Sequence, residues 1–299
     1  MTAVALRLLE NLDPQVLLKR EDLTFPPVSK LWYADKPKGP LFGVAAGDGQ
    51  APVGAIVAEL HPEQPVAQVI TWRVLPAHRK QGIGFQLMSG LLMKLKEKGL
   101  RGVTLQYRTD WPNREAIERI LSKTGFAQPE TLHIQARGEP ANLPWLEEVS
   151  LPEGFEAFPW GRLTLEERRR IQAGRGAEDG HPAALDPFAF DDRFVPELSF
   201  GLRKGGDVVG WTIAFQTAED TVEHCCLHVD KRYQGTGLGL QLVCVALKKQ
   251  AGGEPAHLKK TIFRVMANNQ PMLQLARKRF VPFAEVATET MIARKFLNR

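Results

Sequence analysis

The hydrophobic and polar positions of the first half predict short strands grouped around one long helix. Segments with strand-like apolar patterns cover 4–9, 41–46, 53–60, 66–74, 103–107 and 131–136. Helical spacing is clearest where apolar residues recur every third or fourth position, at Leu87, Met88, Leu91, Leu92 and Leu95. Further helices are predicted over 113–123 and between Asp13-Pro14 and Pro26-Pro27.

The second half repeats this order of elements. Strands are predicted over 155–158, 198–203, 208–215, 221–229, 262–266 and 289–294, and helices over 163–173, 240–249 and 271–278. In both halves a strand and a helix precede a hairpin, and a long helix then follows a strand of nine residues. This mixed order predicts the α/β (α+β) fold class, with a mostly antiparallel mixed sheet flanked by helices in each half.

One motif occurs twice, between that strand and the long helix. The segment from Val74 to Leu87 (VLPAHRKQGIGFQL) matches the segment from Val229 to Leu242 (VDKRYQGTGLGLQL) at a constant offset of 155 residues (229 − 74). A repeat of that length is a whole domain rather than a solenoid unit. We therefore expect an N-terminal domain over 1–138, a proline-containing linker over 139–152 and a C-terminal domain over 153–299.

Composition narrows the class of protein. The 299 residues suit two ordinary domains, and three cysteines, two of them adjacent, cannot form a disulfide framework or a spaced metal site. No apolar run approaches the ~18 residues of a membrane span, and the N-terminus lacks the pattern of a signal peptide, so a cytoplasmic protein without a membrane partner is expected. The formal net charge of +5 is spread along the chain, which suits a polyanionic small ligand and argues against a nucleic-acid partner.

The glycines of the repeated motif indicate phosphate binding. Gly82 and Gly84, with Gly237 and Gly239 in the second copy, allow positive φ and a close backbone approach to a ligand. The helix that follows offers unpaired N–H groups and the positive end of its dipole. Neither copy has the third glycine of a dinucleotide-binding motif or the Lys-Ser/Thr of a P-loop.

The two loops resemble those of a known enzyme superfamily. The segments Arg79–Gly84 (RKQGIG) and Gln234–Gly239 (QGTGLG) fit the Gln/Arg-x-x-Gly-x-Gly/Ala signature of the GNAT N-acetyltransferases. That superfamily continues with a strand, an Asn and a helix ending in Gly-Phe, and here Asn113 precedes Gly125-Phe126 while Asn268 precedes Arg279-Phe280. Order and spacing agree in both copies, so the chain resembles a tandem GNAT protein with a mycothiol-synthase-like double architecture.

This resemblance implies an acyl-CoA cofactor, in the first place acetyl-CoA. Loop N–H groups would hold its pyrophosphate, the splayed end of the preceding strand would pair with the pantetheine arm, and an Asn would lie near the thioester. The implied cofactor-binding residues are Val74, Arg79, Lys80, Gln81, Gly82, Ile83, Gly84 and Asn113 in the first half, and Val229, Gln234, Gly235, Thr236, Gly237, Leu238, Gly239 and Asn268 in the second. The implied reaction is direct attack of a small-molecule amine on the thioester carbonyl.

The resemblance also predicts different catalytic roles for the two halves. In several members of the superfamily the base is a Glu eleven residues before the Gln/Arg of the loop, which is Glu223 in the second half and Gln68 in the first. A partly desolvated carboxylate can take a proton near neutral pH, whereas an amide cannot. We therefore expect a catalytic C-terminal half and a degenerate N-terminal half. Strict strand alternation would place Glu223 on one face with Cys225 and Leu227, opposite His224, Cys226 and His228.

One departure from the superfamily pattern, shared by both halves, leaves an alternative function open. The usual proton donor, a Tyr five residues before the Phe of Gly-Phe, is replaced by Leu121 and Leu275, so a non-catalytic acyl-CoA-binding or sensor protein remains the alternative function. Asp191 and Asp192 lie where the superfamily has its acceptor loop, and they could bind a cationic amine. The chain is expected to be a monomer, which is then an internal pseudo-dimer, or a homodimer.

Overall fold

The computed structural model describes residues 5–10, 23, 39–47, 52–177, 180–190 and 194–297. The helix predicted between Asp13 and Pro27, apart from Leu23, lies outside these residues, and so do the acceptor candidates Asp191 and Asp192. The described chain divides into two compact units. We call them the N-terminal unit, drawn from 1–132 and 289–299, and the C-terminal unit, drawn from 133–288.

The N-terminal unit contains a six-stranded sheet and two described helices. Its elements are β1 (Ala5–Glu10), β2 (Leu41–Gly47), β3 (Pro52–Leu60), β4 (Val66–Val74), α1 (Ile83–Glu97), β5 (Gly102–Arg108), α2 (Arg114–Lys123) and most of β12 (Val286–Phe296), with strand order β1-β2-β3-β4-β5-β12. The helical spacing seen in the sequence is the buried face of α1, where Leu87, Met88, Leu91 and Leu95 are fully enclosed against the sheet.

The C-terminal unit repeats this plan with three described helices. Its elements are most of β6 (Glu130–Gly138), β7 (Phe155–Pro159), α3 (Leu165–Ala173), β8 (Phe200–Lys204), β9 (Asp207–Ala218), β10 (Thr221–Val229), α4 (Leu238–Ala251), β11 (Lys260–Met266) and α5 (Gln270–Arg279), with strand order β7-β8-β9-β10-β11-β6. The predicted fold class, α/β (α+β) with a mostly antiparallel mixed sheet in each half, is confirmed. No described helix has the length and apolarity needed to span a membrane.

The last strand of each sheet comes from the other repeat. β12 pairs antiparallel with β5, from Thr290 beside Arg108 to Phe296 beside Gly102, and β6 pairs antiparallel with β11. The expected domain ranges, 1–138, 139–152 and 153–299, follow the sequence repeat and stay a prediction. The compact units differ from those ranges at these two strands.

One strand pair in each unit is parallel, and it is paired over only part of its length. The β4–β5 pairing ends at Val69 beside Leu105, and the β10–β11 pairing ends at Glu223 beside Ile262. All four strands continue beyond these points, so each sheet opens there into a V-shaped gap. A backbone edge inside such a gap is left able to pair with an extended ligand.

Candidate functional site

In the C-terminal unit, the loop between β10 and α4 presents free backbone N–H groups at a helix N-terminus. Gly235 and Gly237 have φ of +78° and +87°, and a Cβ at either position would meet nothing within 4 Å. The first hydrogen bond of α4 is donated by the Gln241 amide to the Gly237 carbonyl, so the amides of residues 238–240 precede the helical ladder. The first turn of α4 holds no acidic residue, which leaves the positive end of the dipole available to an anion.

The loop between β4 and α1 has the same geometry in the N-terminal unit. Gly82 adopts φ of +83°, and Lys80 adopts +62°, a conformation that few residues other than glycine take. The first hydrogen bond of α1 runs from the Gln86 amide to the Gly82 carbonyl, 155 residues before its counterpart. The structure thus brings the predicted loop residues together in each unit: Arg79, Lys80, Gln81, Gly82, Ile83 and Gly84 in one, and Gln234, Gly235, Thr236, Gly237, Leu238 and Gly239 in the other.

The first residue of each signature closes its loop. Arg79 Nε donates to the Val74 carbonyl at 3.1 Å, and Gln234 Nε2 donates to the Val229 carbonyl at 2.8 Å. Both contacts tie the start of the loop to the end of the preceding strand. Either Gln or Arg serves because the contact needs only a long side chain with an N–H donor. Direct contact of these side chains with a cofactor stays a prediction.

The two asparagines predicted near the cofactor lie at the open end of each V. Asn113 is the N-cap of α2, and Asn268 immediately precedes Asn269, the N-cap of α5. Asn269 uses its side-chain oxygen to accept from the Met272 amide, whereas Asn113 and Asn268 are solvent-exposed and make no cap of this kind. Contact of either side chain with a ligand in the gap stays a prediction.

Glu223 lies at the apex of the V in the C-terminal unit. Its residue is only 6% exposed, and its Oε2 accepts a hydrogen bond from Arg264 Nη2 on the neighbouring strand at 3.2 Å. Burial raises the pKa of Glu223 above its usual range, and the Arg264 guanidinium opposes that rise. In the N-terminal unit, the equivalent Gln68 is an exposed amide one position before the end of the strand pairing.

A β-bulge corrects the faces expected along β10. The partner register shifts between His224 and Cys226, leaving Cys225 as the extra residue, and the equivalent shift in β4 leaves Ile70, 155 residues earlier. Beyond the bulge the alternation is reversed. Cys226 and His228 therefore share the face of Glu223, since their partners Ile213 and Trp211 lie on the face of Phe215, the partner of Glu223.

The opposite face of β10 carries Leu227 and His224. Leu227 packs against the cluster of α4, and His224 stacks on Phe263 with ring centroids 5.6 Å apart. The expected faces are therefore wrong for Leu227, Cys226 and His228, and right for His224, which lies opposite Glu223. Strict alternation does not allow for the inserted residue.

The other candidate nucleophiles and acids of the second half are enclosed. Burial lowers the pKa of His224 to about 4, and neither ring nitrogen has a hydrogen-bond partner among the described residues. Burial also raises the pKa of Cys226 to about 12, so its thiol is protonated at neutral pH and packs as a small apolar group. Leu121 is fully buried and Leu275 packs against the core of its unit, so neither position supplies a proton donor.

Two residues of the gap were missed from the sequence. Arg264 belongs to no motif, and its contact with Glu223 depends on the register of two strands joined through a helix. Trp72 lies two residues before Val74 and reads as an ordinary strand residue, but it packs beside the first turn of α1. For Trp72 the alignment of the two copies could have directed attention there, because it pairs Trp72 with Leu227, whereas no signal in the sequence points to Arg264.

Comparisons with known proteins agree with this geometry. A model of the acetyltransferase (GNAT) family matches residues 6–126 and again residues 163–280. A solved tandem GNAT protein from the clavulanic acid biosynthesis pathway, without AcCoA, is similar over 99% of this chain and 99% of that chain, with a TM-score of 0.65 and 16% identity. A GCN5-related N-acetyltransferase from Sphaerobacter thermophilus is similar over 91% of this chain and 85% of that chain, with a TM-score of 0.59 and 16% identity. Comparison with curated proteins gave no match.

The duplicated loop, the V-shaped gap and the helix N-terminus define a tandem α/β protein in which each unit has a strand pair that opens beside a helix N-terminus. Because the family model covers both repeats, the chain belongs to the acetyltransferase (GNAT) family. Because the solved structures share only 16% sequence identity with this chain, their similarity shows the fold alone. That fold is the tandem arrangement. The predicted resemblance to a tandem GNAT protein is confirmed.

Proposed function

We propose that the protein is an acyl-CoA-dependent N-acyltransferase that moves an acetyl group from acetyl-CoA to the amine of a small molecule. The C-terminal unit is catalytic in this proposal. The observation that carries it is the Glu223 carboxylate, which is buried at the apex of the β10–β11 gap with a raised pKa.

The residues around that gap fit the cofactor. The exposed glycine loop and the amides of residues 238–240 match a pyrophosphate in charge and in hydrogen-bond direction. The edge of β10 beyond Glu223 is free to pair with the amides of a pantetheine arm, and Asn268 stands at the far end of the gap. Acetyl-CoA would supply the activated acyl carbonyl and the thiolate leaving group.

Glu223 is the proposed base. A C–N bond forms between the acceptor amine and the acyl carbon, the C–S bond of the thioester breaks, and the proton of the attacking amine passes to Glu223. Burial raises the proton affinity of this carboxylate, which suits it to accept a proton near neutral pH. Arg264 Nη2 donates a hydrogen bond to Oε2 of the carboxylate, and in this proposal the other oxygen takes the proton. With Leu275 at the position of the usual tyrosine, the thiolate takes its proton from water.

The N-terminal unit is the degenerate partner in this proposal. It keeps the loop but has the amide of Gln68 where the base would stand. The acceptor is a small amine, and Asp191 and Asp192 are the proposed residues for its cationic group. The protein acts in the cytoplasm, as a monomer or a homodimer.

Glu223→Gln tests the catalytic assignment. We expect kcat/KM for acetyl transfer to fall about 10²–10⁴-fold at pH 8, because the amide cannot take the proton. The rise of kcat/KM with pH through the raised pKa of Glu223 should also disappear, while the Kd for CoA changes little. Glu197→Gln, at an exposed glutamate of the same unit, is the matched control. An unchanged kcat/KM of the Glu223 variant across the pH range would contradict the proposal.

One observation favours a second function, that of a non-catalytic acyl-CoA-binding or sensor protein. Leu121 and Leu275 both pack into cores, so neither unit places a hydroxyl where the family usually has its acid. Turnover of acetyl-CoA against a panel of amines separates the two functions, since a sensor binds the cofactor but releases no thiol above the uncatalysed rate.

A further inference from the structure

The V-shaped gaps of the two units differ in what fills them. In the N-terminal unit, Gly84 lies in the first turn of α1, and a Cβ built on it would be 3.3 Å from Ile120 Cδ1 and 3.7 Å from Trp72 Cζ2. Trp72 belongs to β4 and Ile120 to α2. Elements from both sides of the gap therefore meet at the loop where a cofactor would enter.

The same place is open in the C-terminal unit. Gly239 is the counterpart of Gly84, and a Cβ built on it would contact only Leu227 Cδ2 at 3.7 Å and Val229 Cγ2 at 3.8 Å. Both of these atoms belong to β10, and no atom of α5 lies within 4 Å. At this point α5 therefore stays more than 4 Å away from the first turn of α4, whereas Ile120 of α2 comes close to the equivalent point beside α1.

One substitution between the two copies contributes to this difference. Trp72 aligns with Leu227 at the offset of 155 residues, and its indole and Ile120 of α2 approach the same point beside Gly84. Trp72 and Ile120 both pack against the buried core of the N-terminal unit. A pantetheine arm entering beside Gly84 would have to displace these two side chains from the core that they cover, which is unfavourable because it exposes apolar surface.

We propose that Trp72 and Ile120 close the cofactor cleft of the N-terminal unit, so that the chain binds one acyl-CoA, in the C-terminal unit. Trp72 is then the residue that decides which repeat accepts the cofactor. This inference rests on the proposed function, because it requires that the loop at 234–239 takes CoA.

The test counts bound CoA by calorimetric titration in the full chain. The wild type should bind one CoA per chain, and Gly237→Val should abolish binding, because valine cannot adopt the φ of +87° that the loop requires. Adding Trp72→Leu to Gly237→Val should restore one site, now in the N-terminal unit. Ile120→Ala in the same background is a second opening variant with a smaller change in the core.

The reciprocal variant tests the same idea in the other unit. Leu227→Trp should weaken CoA binding at least about 10-fold, since the added volume fills the open gap. Circular dichroism and the melting temperature show whether each variant is folded. Two bound CoA per wild-type chain would overturn the inference alone, and so would failure of both opening variants to restore a site. No bound CoA in the wild type would overturn the proposed function and this inference with it.

Discussion

At the scale of single residues, His224 shows what a strand pattern leaves undetermined. From the sequence it is one of two histidines beside the proposed base, and either could be read as a catalytic group. In the structure its ring is fully enclosed, stacked on Phe263, with no hydrogen-bond partner for either nitrogen among the described residues. Such a histidine stays neutral in the folded protein and charges only on unfolding.

His224→Leu should therefore reduce the acid sensitivity of the protein. The folded pKa of His224 is about 4, below its unfolded value of 6.5, so its stabilising contribution is complete above pH 6.5 and is lost as the pH falls towards 4. Between pH 7 and pH 4.5 the wild type should lose roughly 2–3 kcal/mol more unfolding free energy than the variant. Urea unfolding at both pH values measures this. His257→Leu, at an exposed histidine, is the control, and an equal acid loss in wild type and His224→Leu would refute the prediction.

The residues of the candidate site differ in whether their role could be predicted from the sequence immediately around them. The loop glycines were predictable because positive φ, helix start and open backbone are encoded within a few positions. The position of Glu223 relative to the loop followed from the family spacing. The contact with Arg264 and the face reversal at Cys225 were not predictable, because they depend on strand register and on an inserted residue that leaves no mark in the polarity pattern.

At the scale of elements, Glu167 stabilises α3 in two ways: it caps the start of the helix and it binds Arg203 on β8. Glu167 Oε2 accepts from the Thr164 amide at 2.8 Å, and Thr164 Oγ1 accepts from the Glu167 amide, which together form a capping box. The same carboxylate accepts two hydrogen bonds from Arg203 on β8, at 2.7 and 3.0 Å. The Arg203 hydrogen bonds, aided by those of Thr164, lower the pKa of Glu167 to about 2, against desolvation.

Glu167→Gln should therefore destabilise the protein at neutral pH but not in acid. The folded pKa lies below the unfolded value of 4.5, so the stabilisation is present above pH 4.5 and is lost as the pH falls towards 2. We expect the free energy of unfolding at pH 7 to fall by about 1–2 kcal/mol, because the amide keeps part of the cap but loses the ion pair. Glu166→Gln is the matched control, since Glu166 pairs with Arg170 at the exposed surface and should change little. A loss that persists unchanged at pH 2.5 would contradict this account.

Helices and strands with a clear hydrophobic periodicity were predicted closely. The residues at which they begin and end were predicted less closely. The helix expected over 163–173 begins at Leu165, because Thr164 is its cap rather than its first turn. The long helix, whose apolar positions run from Leu87 to Leu95, extends from Ile83 to Glu97. Short 3-10 turns such as Lys231–Tyr233 were not expected, since three residues carry too little periodicity to be recognised.

At the scale of the whole chain, the duplication does not determine which copy of the closing strand joins which sheet. The segments Glu130–Arg137 and Glu289–Arg294 share the same start and the same alternation, so either could complete either edge by its pattern alone. The structure assigns the later segment to the N-terminal unit, where Ala293 is fully buried and Leu297 joins the same core cluster. The core of the N-terminal unit therefore depends on residues near 293.

Ala293→Asp tests this assignment. A carboxylate forced into the fully buried site, without a partner, should lower the free energy of unfolding of the N-terminal unit by about 3 kcal/mol or more. Hydrogen exchange should then show lost protection in β5 at 102–108, which pairs with β12, while β10 keeps its protection. Phe296→Asp, on the same strand with an 80% exposed side chain, should leave both strands protected. If β12 instead belonged to the sheet of a contiguous domain at 153–299, the loss of protection would fall in β10 and β11 and spare β5.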